Sequence, residues 1–285
     1  MQDLDEATGQ PKPNSYTLQS DKTKVDSQVT RTGGTVDFTK YVTGAEKETF
    51  TGFTFEKTDP AGRAGVYQFV VTPDADYDPS SGNIPYAKIY FSRDTNTEYK
   101  IIWQVQKYNE ETGEPLSEYA DKETLPLRGT TGVKVDLTDF NKTIPGYTFE
   151  AYDPAGEPPT ITIGEVVEGH TEDTVATGRL KYKLATNTKY HVTKYLEKLD
   201  SAKKRNDNPG NFDPERKLEW YDSQGTTEAT GRTGELISVN AKATDIDGYS
   251  IHYWAGAGKA GDTSDIANAK VAIAADGSMH IQLFY

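Results

Sequence analysis

Apolar and polar residues alternate along most of this chain, and helical spacing is rare. Tyr99-Lys100-Ile101-Ile102-Trp103-Gln104-Val105-Gln106-Lys107-Tyr108 keeps a two-residue period for most of its length, which predicts a long strand. Glu111-Thr112-Gly113-Glu114 predicts a turn, with Gly113 free to take a positive φ. A second strand is expected from about Glu118 to Leu127, broken by Gly129-Thr130-Thr131-Gly132. Val133–Leu137 then leads into Thr138–Thr143, read as a short helix with Thr138 as its N-cap and Asp139 in its first turn. Pro145-Gly146 ends that helix. Tyr147–Tyr152 is the next strand, Asp153-Pro154-Ala155-Gly156 turns the chain, and Gly178–Leu184 closes the unit after an irregular stretch.

That pattern recurs. Thr51-Gly52-Phe53-Thr54-Phe55-Glu56 returns as Pro145-Gly146-Tyr147-Thr148-Phe149-Glu150, and more weakly as Asp247-Gly248-Tyr249-Ser250-Ile251-His252. The spacings of about 94 and about 102 residues are too long for a solenoid repeat and suit small domains in tandem. Other landmarks keep their order. Asp5–Pro11 matches Asn109–Pro115, and Arg31-Thr32-Gly33 matches Thr130-Thr131-Gly132 and Arg232-Thr233-Gly234. Asn96-Thr97 matches Asn187-Thr188, each after an aromatic, alternating run (Tyr86–Phe91 and Leu180–Leu184), and Met279–Tyr285 is a third such run. The boundaries read 1–94, 95–186 and 187–285, with an insertion at about 200–215 in the third repeat. Setting Gly9 on Gly113 starts the first repeat partway through its opening strand, so we expect a fragment of a longer protein. The element order gives an α+β, β-dominated class: a small twisted sheet carrying one short helix, similar to a β-grasp arrangement. Junctions of about four residues have little slack, so three such domains should form an extended rod.

Composition narrows the function. The absence of cysteine among 285 residues excludes disulfides, thiolate metal sites, cysteine nucleophiles and internal thioesters, and leaves the compartment open. A net charge of −13 repels phosphate backbones, so nucleic acid is not an expected partner. No apolar run approaches the ~20 residues that a bilayer span needs, so no membrane insertion is expected. Leu125-Pro126-Leu127-Arg128-Gly129 has the outline of a sortase signal, but Arg128 stands where Thr is required, and it reads as strand and turn.

Three phrases together carry a family likeness: Tyr190–Glu197, Lys142–Phe149 and Ala274–Tyr285, which contains Asp276-Gly277-Ser278. Their order resembles the tandem repeats of Gram-positive surface proteins, namely mucin-binding-protein (MucBP) repeats, internalin B-repeats and related streptococcal stalk repeats. The resemblance covers nearly the whole chain. It departs at Phe53, which stands for Tyr, and in the lack of Asp-Gly-Ser from the first two repeats. It implies a cell-wall-attached, extracellular adhesin whose repeats form a stalk, some relatives binding mucin glycans. The expectation is a non-enzymatic, monomeric stalk segment without cofactor that holds a binding domain away from the cell. The alternative is a module for host mucin, glycan or protein, with its site in the third repeat.

Candidate chemistry is sparse. His170, His191, His252 and His280 lie far apart in sequence, without metal-ligand spacing, and no metal site or catalytic set is expected. Asp74-Ala75-Asp76-Tyr77-Asp78 begins like a calcium loop, but Pro79 replaces the required Gly and Pro85 the closing Glu; Asp245-Ile246-Asp247-Gly248 fails the same test. Asn206–Asp213 is oxygen-rich and reads as a solvated turn. No recognisable set of residues points to a Lys–Asn or Lys–Asp isopeptide cross-link. The sharper candidate is a glycan platform, because sugars stack on aromatic faces while carboxylates take their hydroxyls. Trp220, Tyr221, Asp222, Tyr253 and Trp254 are its candidate residues, against the alternative that about half of these aromatics fill the core.

Overall fold

The computed structural model describes residues 1–19, 21, 33–44, 46–47, 49–59, 61–62, 65–70, 87–198 and 218–285. The chain is β-dominated. The first repeat holds β1 (Gln2–Asp5), β2 (Gln10–Tyr16), β3 (Thr35–Asp37), α1 (Thr39–Val42), β4 (Phe53–Asp59), β5 (Gln68–Val70) and β6 (Lys88–Arg93). The second holds β7 (Thr97–Tyr108), β8 (Pro115–Gly129), β9 (Lys134–Asp136), a 3₁₀ turn (Leu137–Phe140), β10 (Tyr147–Asp153), β11 (Thr160–Thr162) and β12 (Ala176–Leu184). The third repeats the order with β13 (Thr188–Glu197), β14 (Tyr221–Gly231), β15 (Leu236–Ser238), a 3₁₀ turn (Asn240–Lys242), β16 (Tyr253–Gly256), β17 (Lys259–Asp262), α2 (Thr263–Ile266), β18 (Lys270–Ala272) and β19 (His280–Phe284).

Strand order is shared as well. The third repeat forms one sheet, β14-β13-β19-β16-β17, and the second forms β10-β12-β7-β8. Opening and closing strands are therefore neighbours at the centre. In the third repeat they run parallel, with His191 opposite His280 and Tyr195 opposite Phe284. β4 pairs with β6 and β10 with β12 through antiparallel ladders that slip at the same place, between Phe55 and Lys57 and between Phe149 and Ala151. β3–β5, β9–β11 and β15–β18 are matching two-strand ribbons. Their second strands fall in stretches too short and irregular to carry a visible period.

Local chemistry explains the turns. Asp5 Oδ1 accepts from the N–H groups of Ala7 and Thr8 at 3.0 and 3.1 Å, and Asn109 Oδ1 does the same for Glu111 and Thr112 at 2.8 and 3.0 Å. These Asx turns close the first hairpin of both repeats, with Gly113 at φ +73°. The expected helix at Thr138–Thr143 is instead a 3₁₀ turn that starts at Leu137. Thr138 is not its cap: Asp136 Oδ1 accepts from both the N–H and the hydroxyl of Thr138, and before α1 Asp37 Oδ1 accepts from the Thr39 N–H at 2.8 Å. A carboxylate accepts more strongly than a hydroxyl, and Pro145 leaves no room for further turns.

The described chain divides into two compact units, Met1–Ile101 with Leu125–Asp139 and Pro154–Gly178, and Ile102–Thr124 with Phe140–Asp153 and Arg179–Tyr285. The border runs through the second repeat, across the boundaries drawn from sequence. The buried apolar side chains of the first unit include Phe38, Val42 and Phe91 from the first repeat and Ile101, Leu137, Ile161 and Ile163 from the second. In the second unit Tyr190, Val192, Val239, Trp254, Val271, Ile273, Met279, Ile281 and Leu283 of the third repeat pack in one cluster. Among the described residues no helix is long and apolar enough to cross a membrane.

Candidate functional site

The five residues singled out as a sugar platform do not share one surface. Trp254 is 4% exposed within the core cluster of the third repeat, and Tyr221 is 6% exposed outside that cluster, so neither offers a ring face to a ligand. Period-two alternation puts Trp254 on the inward face of β16, opposite Leu283 in the register with β19. Tyr221 is held by its neighbours: its ring meets Phe284 edge-on at 5.1 Å and stacks on His252 at 5.9 Å, and its hydroxyl lies 2.9 Å from His252 Nε2. Tyr253 and Trp220 are half-buried. Asp222 is exposed and pairs with Lys198 at 3.5 Å. The half-buried Tyr195 and Tyr253 instead pack on Phe284, which is itself fully buried, with Tyr195 stacked on it at 4.9 Å. The insertion at about 200–215 and the oxygen-rich Asn206–Asp213 and Asp74–Asp78 segments lie outside the described residues.

Two groups of candidate ligands come together that sequence spacing did not suggest. His170 Nδ1 lies 3.4 Å from Glu172 Oε1, and Asp173 completes a trio in which only Glu172 is exposed. His191 and His280, far apart in sequence, sit side by side on β13 and β19 with ring centroids 6.1 Å apart. Partial burial, with a smaller contribution from His191, pushes the His280 imidazole below its ordinary range.

The most repeated chemistry in the molecule lies at the junctions. At the first, Asp94 N–H donates to Gly52 O and Thr131 N–H donates to Asp94 O, each at 2.9 Å. At the second, Ala185 N–H donates to Gly146 O and Thr233 N–H donates to Ala185 O, again at 2.9 Å. Two hydroxyls seal each junction: Thr97 Oγ1 and Thr131 Oγ1 are 2.6 Å apart, and so are Thr188 Oγ1 and Thr233 Oγ1. One arginine crosses each. Arg93 Nη1 donates to Thr131 O at 2.9 Å, and Arg232 Nη1 donates to Gly113 O at 2.8 Å from the opposite partner. Glycine is required at the meeting point. Gly52 and Gly146 have φ of +74° and +75°, and a Cβ at either would lie 2.1 Å from Thr131 Oγ1 or 2.4 Å from Ala275 O.

These residues are the ones by which the repeat is recognised in the sequence: Gly52 and Gly146, Thr131-Gly132 and Thr233-Gly234, Asn96-Thr97 and Asn187-Thr188. The sequence marks them by recurrence. It does not show that they touch, because the partners of each pair stand about 35–45 residues apart on different strands. No protein-family model matches the chain, and comparison with curated proteins finds no match either.

Proposed function

We propose that this chain is a stalk segment: three tandem repeats of β-grasp type, arranged as an extended rod, that hold a binding domain away from a bacterial cell surface. The observation that carries this reading is the junction chemistry. Two successive junctions use the same backbone exchange and the same threonine pair, so each repeat is seated on the next rather than hung from a loose linker. A domain string of this kind transmits position and tension; catalysis has no part in the reading. The β-grasp assignment rests on the mixed sheet with parallel opening and closing strands at its centre. The likeness to MucBP and internalin B-repeats supplies the extracellular, wall-attached setting.

Force applied through the two ends of the third repeat would load β13 against β19 along their parallel ladder, where several hydrogen bonds share the load. That is the arrangement a tension-bearing domain needs. Binding of mucin or host glycan is the second reading. What favours it is the half-buried aromatic pair Tyr195 and Tyr253 of the third repeat.

The test has two arms. Solution scattering on the monomeric chain should give a maximum dimension near the summed lengths of three domains; a value near that of one globule of the same mass would end the rod. Titration against mucin and a glycan array, at high protein concentration, should give no saturable binding. Saturable binding lost on changing Tyr253 to Ala, with the fold retained, would replace the stalk reading with the adhesive one.

A further inference from the structure

The geometry points to a transition-metal site on the outer face of the third repeat, in which the imidazoles of His191 and His280 hold one divalent ion of the Zn²⁺, Ni²⁺ or Cu²⁺ class. The two histidines stand directly opposite each other on adjacent parallel strands, so their side chains share one face of the sheet. Their rings lie 6.1 Å apart at 77°. Two imidazoles sharing a tetrahedral zinc have centroids roughly 5 Å apart, given Zn–N bonds of about 2.0 Å, so a small side-chain rotation closes the pair. Both rings are half-exposed, which leaves a path for the ion.

The surroundings supply what a metal-bound imidazole requires. A ligating histidine uses one nitrogen for the metal and gives the other N–H to an oxygen, which fixes the tautomer and the ring plane. His280 Nε2 lies 2.7 Å from Thr193 Oγ1, and that hydroxyl lies 2.7 Å from Thr226 Oγ1 on β14. The chain His280–Thr193–Thr226 anchors Nε2 and leaves Nδ1 for the ion. Glu228 stands opposite His191 across β13 and β14, on the same face of the sheet. Lys189 pairs with Glu228 at 2.9 Å and opposes the incoming charge. Imidazole donors select borderline metals over Ca²⁺ and Mg²⁺, which prefer oxygen. The bound ion would clip the opening strand of the repeat to its closing strand.

The test uses the full chain, with any affinity tag removed. Calorimetric titration with ZnCl₂ at neutral pH should show one micromolar site that weakens as the solution is acidified. His191→Gln and His280→Gln should each weaken it at least tenfold. Lys189→Met should tighten it. His170→Gln, which removes the other histidine–carboxylate group, should leave it unchanged. In the unaltered chain, substoichiometric Cu²⁺ should broaden the ring resonances of two of the four histidines by NMR, a readout independent of any variant's folding. No binding up to millimolar Zn²⁺, broadening of the His170 ring alone, or Zn²⁺ affinity unmoved in both His191→Gln and His280→Gln would overturn the proposal.

Discussion

At the residue scale, the indole of Trp254 shows what burial does to an apparent binding residue. Its Nε1 is buried and, among the described residues, has no hydrogen-bond partner. Trp254→Ala should therefore destabilise the third repeat by about 3–5 kcal/mol, as the loss of a large core side chain does. Trp254→Phe also removes the unpaired N–H, which costs about 1–3 kcal/mol where it stands, so it should cost far less than the alanine change. Chemical denaturation of the two variants checks the contrast; equal, small losses would mean that the ring is not core.

His280 gives a second prediction at this scale. Its folded-state pKa lies below its unfolded value, through burial first and His191 second. The unfolded chain then takes up a proton that the folded chain refuses. Stability from this group is complete above the unfolded pKa of about 6.5 and falls with pH until the folded group protonates too. Thermal melts without metal should show the third repeat weakening as pH falls through and below the unfolded value, and His280→Gln should flatten that slope. Asp262 and Asp276, held below the usual carboxylate range by hydrogen bonds with Ser264 and Ser278, lose their contribution only in more acid solution.

At the scale of the element, one glycine motif performs two jobs. Gly146 has both a positive φ and a blocked Cβ direction against Ala275, whereas Gly248, its counterpart in the third repeat, has φ +79° and open space around it. Gly248→Ala should cost about 1–2 kcal/mol, the price of the left-handed backbone alone. Gly146→Ala should cost clearly more, because it also pushes the second junction apart; denaturation midpoints of the two variants give the comparison. The capping residues offer a parallel case: Asp136→Ala should cost about 1 kcal/mol through loss of the cap on the 3₁₀ turn. The sequence placed that turn but gave it to Thr138. The aspartate two residues upstream binds both the N–H and the hydroxyl of Thr138, and only coordinates reveal which of two polar neighbours accepts.

At the scale of the whole molecule, the junctions predict coupling between repeats. If each repeat were independent, changing one would leave its neighbours unmoved. Thr233→Val removes the hydroxyl that meets both Thr188 Oγ1 and Gly146 O, at 2.6 and 2.7 Å. Loss of this buried pair should cost about 1–3 kcal/mol, and it should lower protection from hydrogen exchange in β10 and β12 as well as in β14. A loss confined to the third repeat would show that the junction does not couple the two.

The strands were legible from the sequence by itself, because a period of two records which side of a sheet is wet. Recurrence marked the landmark phrases of the repeats, and local chemistry marked the turn at Glu111–Glu114 with its positive φ at Gly113. The contents of the core and the candidate sites were not. Alternation says that half the aromatics face inward, but only the register of β16 with β19 decided that Trp254 was among them. His191 and His280 look unrelated until a parallel pairing of first and last strands lays them side by side. The threonines that close each junction recur visibly, yet their contact depends on strands that meet only after folding. Local hydrogen bonding and the wet–dry pattern are written along the chain; proximity between distant strands is decided by the sheet.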